Sequence, residues 1–124
     1  MVVLLDTHVV LWWRLDSPRL KRVARQTIAT ADIVWVSAAS SWEAAIKQGL
    51  GKLDLTESFQ SMVAASDFRE LSVKFRHTEQ VALLPQHHAD PFDRMLVAQA
   101  QVEGATLVTH DRQFEPYDAP ILWV

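Results

Sequence analysis

Val2-Val3-Leu4-Leu5-Asp6 opens with an unbroken apolar run and closes on a carboxylate. A continuous apolar run of this length suits a strand covered on both faces, as in a parallel sheet flanked by helices. Two later segments repeat the pattern. Ile33-Val34-Trp35-Val36-Ser37 runs into Ala38-Ala39-Ser40-Ser41-Trp42-Glu43, and Thr106-Leu107-Val108-Thr109 runs into His110-Asp111. Helical periodicity fills the intervals, so strands and helices alternate along the chain. That alternation predicts a mostly parallel sheet with helices on both faces, in one α/β domain over residues 1–124.

The remaining elements follow from local signals. Val9 to Leu15 reads as a short helix. Asp16-Ser17-Pro18 then reads as a cap with proline in the first turn of an amphipathic helix reaching Thr30, with Leu20, Val23, Ala24 and Ile28 on one face. Ala38 to Leu50 is helical and ends among Gly49 and Gly51. Thr56-Glu57-Ser58-Phe59 opens a helix running to about Ser66, Phe68 to Val73 reads as a third strand, and Pro85 ends a helix from Phe75 to Leu84. Asp90-Pro91 is a strong helix start, with the longest helix running to Glu103 before Gly104. Ile121 to Val124, after Pro116 and Pro120, reads as an edge strand.

The chain has 124 residues, 49% hydrophobic and 22% charged, enough for a single core without a disordered block. Cysteine is absent, which excludes disulfides and thiolate metal sites. Without a signal-like or membrane-length apolar run, a soluble cytoplasmic protein is expected. The formal charge of -3 does not exclude a nucleic-acid substrate, because a cluster of carboxylates that binds cations would hold much of that charge locally. Arg14, Arg19, Lys21, Arg22 and Arg25 crowd one stretch, either a solvated face or a backbone-contacting patch.

Ligands of open parallel sheets gather at the carboxyl ends of the strands. Asp6, Glu43, Asp93 and Asp111 all fall at such ends or in the helix turns beside them. Carboxylates brought together repel unless a hard divalent cation lies among them. Each also has a local structural reading: Asp6 as a helix cap, Glu43 as the i,i+4 partner of Lys47, Asp93 as a first-turn acid and Asp111 as a turn former. Asp90 is read mainly as the N-cap of its helix. His87-His88 is read as a surface pair, with RNA contact as the alternative, and Trp12, Trp13 and Trp42 as core packing, with Trp12 or Trp13 alternatively facing a partner. Arg94 and Arg112, each beside an acid, either steady phosphate or pair with a site carboxylate.

Leu4-Leu5-Asp6-Thr7-His8, Ser37-Ala38-Ala39-Ser40-Ser41-Trp42-Glu43, Asp90-Pro91-Phe92-Asp93-Arg94 and Leu107-Val108-Thr109-His110-Asp111 resemble, in order, the motifs of PIN-domain ribonucleases. The resemblance is nearest to the VapC toxins of bacterial type II toxin–antitoxin systems and spans essentially the whole chain. It implies a three-layer fold with a five-stranded parallel sheet. It further implies magnesium- or manganese-dependent cleavage of RNA at a site made by Asp6, Glu43, Asp93 and Asp111, supported by Thr7, Ser37 and Thr109. A homodimer and inhibition by a VapB-type antitoxin are implied as well. A catalytically inactive PIN-like module that binds protein or RNA is the rival reading, and retention of all four acids weighs against it. An aspartyl-phosphate phosphohydrolase fits poorly, because His8 stands where a second aspartate would be needed.

Overall fold

Val3, Leu4 and Leu5 have no solvent exposure, and their alternating side chains divide the interior into two cores. Val3 and Leu5 join Val34, Val36 and Val108 in one core, whereas Leu4 joins Leu107, Leu71 and Leu96 in the other. The sheet is therefore the middle of three layers, as its period-two geometry requires.

The computed structural model describes residues 1–124. It contains β1 (Val2–Leu5), α1 (Thr7–Arg14), α2 (Arg22–Thr30), β2 (Ile33–Ser37), α3 (Ala38–Gly49) and α4 (Phe59–Ala65). These are followed by β3 (Arg69–Leu71), α5 (Phe75–Leu83), α6 (Pro91–Glu103), β4 (Thr106–Thr109), a 3-10 turn (Arg112–Phe114) and β5 (Ile121–Trp123). The five strands lie in the order β3-β2-β1-β4-β5, and every pair is parallel. Leu5 is in register with Val36 on one side and Val108 on the other. Chain order reverses at β1, so the crevice for a ligand opens at its carboxyl end. No helix is long and apolar enough to cross a membrane.

The expected elements are present, with three corrections. Asp16-Ser17-Pro18 does not cap a helix: Asp16 has a φ of 51°, and α2 starts only at Arg22. The cause is Arg25, whose guanidinium donates to the carbonyls of Trp12, Ser17 and Leu20 at 3.0–3.1 Å and holds residues 15–21 as a turn. Within α2 the buried face is Ala24 and Ile28, continuing from Leu20, while Val23 is 74% exposed. Trp42 is not a core residue; it is 65% exposed, with its ring edge-to-face against Phe92 at 5.1 Å.

Arg94 is the third correction, since it meets neither a phosphate-facing surface nor a site carboxylate. It is buried and turned away, donating to the carbonyls of Pro85, Val81 and Leu84 at 2.8, 3.2 and 3.5 Å. Val81 lies in the last turn of α5, where its carbonyl also accepts from the Leu84 N–H, while Leu84 and Pro85 lie just beyond the helix. It also donates to the Tyr117 hydroxyl at 3.1 Å. Removing this guanidinium would take a donor from the Leu84 and Pro85 carbonyls and from the buried Tyr117 hydroxyl. Arg94→Met should lower the stability to urea by about 2–4 kcal/mol at neutral pH. A midpoint unchanged from wild type would show that water replaces the arginine at no cost.

Candidate active site

Asp6 follows the last residue of β1, and its backbone N–H still donates to the Val108 carbonyl at 2.9 Å, so it extends the sheet ladder toward β4. Its side chain is both helix cap and buried acid. Oδ1 accepts from the Thr7 N–H at 2.7 Å, and Oδ2 accepts from the Thr109 hydroxyl at 2.8 Å. Only 7% of the residue is exposed. Burial pushes its carboxyl above the ordinary aspartate value, the two hydrogen bonds and nearby His8 oppose the rise, and Glu43 adds to it.

Glu43 lies one and a half turns into α3, a helix capped by the Ser37 hydroxyl, which accepts from the Ala39 N–H at 3.0 Å. Its Oε1 accepts from the Thr7 hydroxyl at 2.7 Å, and its Oε2 is 3.3 Å from the Lys47 ammonium. The expected i,i+4 ion pair is thus present, and the same carboxylate also faces the strand ends. Asp111 caps the 3-10 turn by accepting from the Gln113 N–H through Oδ1 at 3.0 Å, while its own N–H donates to the Thr109 hydroxyl at 3.0 Å. Oδ2 of Asp111 has no protein hydrogen-bond partner.

Asp90 and Asp93 divide their work as expected. Asp90 Oδ1 accepts from the N–H groups of Phe92 and Asp93 at 2.9 and 3.0 Å, which satisfies the start of α6. That leaves Asp93 in the first helical turn, where the dipole favours negative charge. Burial nevertheless raises its carboxyl to about 7, helped by Asp6 and Asp90 and opposed by the hydrogen bond from His88.

One cavity of about 500 Å³ is lined by Asp6, Glu43, Asp93 and Asp111 together. Asp90, His88, Lys47, Arg19 and Arg112 also border it. The tightest group within it is His88, Asp93 and Asp111, whose ligand atoms all lie within 4.8 Å of one another. His88 was not expected here. Its Nε2 is 2.7 Å from Asp93 Oδ2, and its side chain is only 13% exposed. The available signal was its place in the loop that delivers the α6 cap, directly over that helix's first turn. His87, its neighbour, is exposed as read from sequence. Trp12 is half-buried and borders the same cavity beside His110, at 5.8 Å between ring centroids. Arg112 forms no ion pair; its guanidinium sits 4.2 Å above the Trp123 ring.

Buried Asp6 and half-buried Asp93, both with raised proton affinity, and Lys47 as the one cation paired to the group's acids, describe a site short of positive charge. Its donors are carboxylate oxygens with one imidazole nitrogen, a set that fits a divalent cation. The proton on Asp93 has a consequence for the metal-free protein. Below pH 3.8 the carboxyl is protonated in folded and unfolded chains alike. As pH rises to about 7, the unfolded chain ionises first while the folded one keeps its proton, so stability is lost across that interval. The Asp93→Asn variant lacks this loss. Its melting temperature relative to wild type should rise steadily between pH 5 and pH 8 in chelator; a constant difference would mean that Asp93 titrates normally.

A family model described as PIN domain matches residues 3–120. The chain is 32% identical over 121 residues to Ribonuclease VapC22 of Mycobacterium tuberculosis, covering 95% of this chain and 93% of that protein. Among solved structures, it is similar to VapBC2 from Rickettsia felis bound to a DNA fragment from their promoter. The TM-score there is 0.75 at 18% identity, over 98% of both chains. It is also similar to VapBC-1 from nontypeable Haemophilus influenzae, with a TM-score of 0.71 at 16% identity over 99% of this chain and 98% of that one. At those identities the structural likeness concerns the fold.

Proposed function

This chain belongs to the PIN-domain family, and on that premise we propose that it is a divalent-metal-dependent endoribonuclease, the toxin of a VapBC-type toxin–antitoxin pair. The observation that carries the reading is the convergence of Asp6, Glu43, Asp93 and Asp111 on one cavity at the carboxyl end of the central strand. Its relative at 32% identity is named a ribonuclease, which supports RNA as the substrate class. The similar solved structures are VapBC complexes, which supports an antitoxin partner. A homodimer in the cytoplasm completes the reading.

Asp6, Asp93 and Asp111 would hold the metal, magnesium or manganese. When bound, such an ion acts as a Lewis acid on a phosphodiester and lowers the pKa of a coordinated water. The protein residues set the stage for that chemistry. Thr109 and Thr7 fix the Asp6 carboxylate by hydrogen bonds to both oxygens. Thr7 and Lys47 together fix Glu43 from opposite sides, so that it can orient a nucleophilic water or serve a second ion. Arg19, Lys47 and Arg112 border the cavity and can neutralise flanking phosphates of an RNA strand. Closely spaced anions in a buried setting would repel phosphate without a cation among them.

Purified protein, freed of any antitoxin, should cut total bacterial RNA into discrete fragments with magnesium or manganese and not with chelator. Asp6→Asn and Asp93→Asn should each reduce cleavage by about 10²-fold or more while the far-ultraviolet circular dichroism stays unchanged. Cleavage that survives either substitution would remove that residue from the catalytic group. The metal also has a readout independent of activity. At a concentration about 100 times its dissociation constant it should stabilise the fold by about 2.7 kcal/mol. No shift and no cleavage would favour a binding module without catalysis.

A further inference from the structure

We propose that His88 is a nitrogen ligand of the metal centre and biases that centre toward manganese over magnesium. This deepens the reading of the cavity as a metal site and rests on it. The imidazole is not a loose surface group. The His88 backbone N–H donates to the Tyr117 hydroxyl at 2.9 Å, and that hydroxyl donates back to the His88 carbonyl at 3.4 Å. Arg94, which also holds the Pro85 carbonyl at 2.8 Å, donates to the same hydroxyl at 3.1 Å. Tyr117 and Arg94 are 5% and 8% exposed. Hydrogen bonds to two buried side chains therefore pin the loop at Pro85 and at His88, and the Asp90 cap pins it at its end.

The pinned loop aims Nε2 at the carboxylates. Nε2 is 2.7 Å from Asp93 Oδ2, and the ligand atoms of His88, Asp93 and Asp111 lie within 4.8 Å of one another. The Nε2–Oδ2 contact is a hydrogen bond, and a bound cation would part those two atoms to about 3 Å, since metal–donor distances near 2.0–2.3 Å place neighbouring donors about 3–4.5 Å apart. A hydrogen bond to Asp93 alone would leave the metal preference of an all-oxygen site unchanged. A nitrogen ligand changes it: magnesium favours oxygen donors, whereas imidazole suits the transition metals more than magnesium. Asp111 Oδ2, free of protein hydrogen bonds, is the matching oxygen across the cluster.

The test binds manganese and magnesium separately to the metal-free full chain by calorimetry, and reads the manganese form by pulsed electron paramagnetic resonance. Wild type should show nitrogen-14 coupling to manganese, and His88→Gln should lose it. The same substitution should weaken manganese about tenfold or more while magnesium changes by less than about threefold. Tyr117→Phe, which frees the loop, should weaken manganese in the same direction. Manganese bound to wild type without nitrogen coupling, or equal losses for both metals, would overturn the ligand role and leave the metal centre standing. Failure of wild type to bind either ion would overturn both readings together.

Discussion

The hydrogen bond from the Thr109 hydroxyl to Asp6 Oδ2 holds together the place where the fold and the site meet. It joins the ends of β1 and β4, the two strands between which the chain reverses its order across the sheet. A carboxylate in that position is costly to bury, and without partners the cost would be several kcal/mol. Thr109 offsets it from one side and the Thr7 N–H from the other. Thr109 then does a second job by accepting from the Asp111 N–H. One threonine, itself fully buried, thus fixes the spacing of two site acids that are far apart in sequence.

The same economy holds at the other acids. Each has at least one oxygen committed to a local structural partner. Asp111 caps a 3-10 turn, Glu43 takes a hydrogen bond from Thr7 and an ion pair from Lys47, and Asp93 takes His88. A structural role for a carboxylate therefore does not count against the proposed catalytic one. A cap restrains the side chain, and restraint lets several like charges be held close without swinging apart. Asp90 shows the limit of the principle: with Oδ1 taken by two backbone N–H groups, it completes the start of α6 and leaves Asp93 free to face the cavity.

Much of this was legible in the sequence because the signals were local and periodic. Val2 to Leu5 and Thr106 to Thr109 read as buried strands, and Asp90-Pro91 marked the start of α6 to the residue. The convergence of the four acids followed from strand polarity and from the helix turns that adjoin the strand ends. What failed to read depends on long reach. Arg25 spans back up to thirteen residues to hold the 15–21 turn, so capping residues at Asp16-Ser17-Pro18 misled. Arg94 sits beside a site acid in sequence, but one position along a helix turns a side chain about 100° away, toward α5 and Tyr117. His88 could not be placed without knowing that Tyr117, twenty-nine residues later, clamps its loop. Trp42 reads as core by composition, yet α3 leaves it 65% exposed, with Phe92 at its edge.

Net charge was also a poor guide, for a reason the side chains make plain. Of the basic residues, Arg25 and Arg94 are spent on backbone carbonyls, and Arg14 pairs with Glu57 at 2.5 Å. Arg19 leans over Trp12 at 5.9 Å and Arg112 over Trp123 at 4.2 Å, both on the border of the acidic cavity, with Lys47 beside Glu43. Five of the fifteen acids line the cavity, and these three cations border it. Under the proposed function, a strand of phosphates would meet positive charge at the rim while the acids within held a metal ion. The overall balance of -3 records the acids and hides the ring. Placement of charge, more than its sum, is what would fit this surface to the proposed polyanionic substrate.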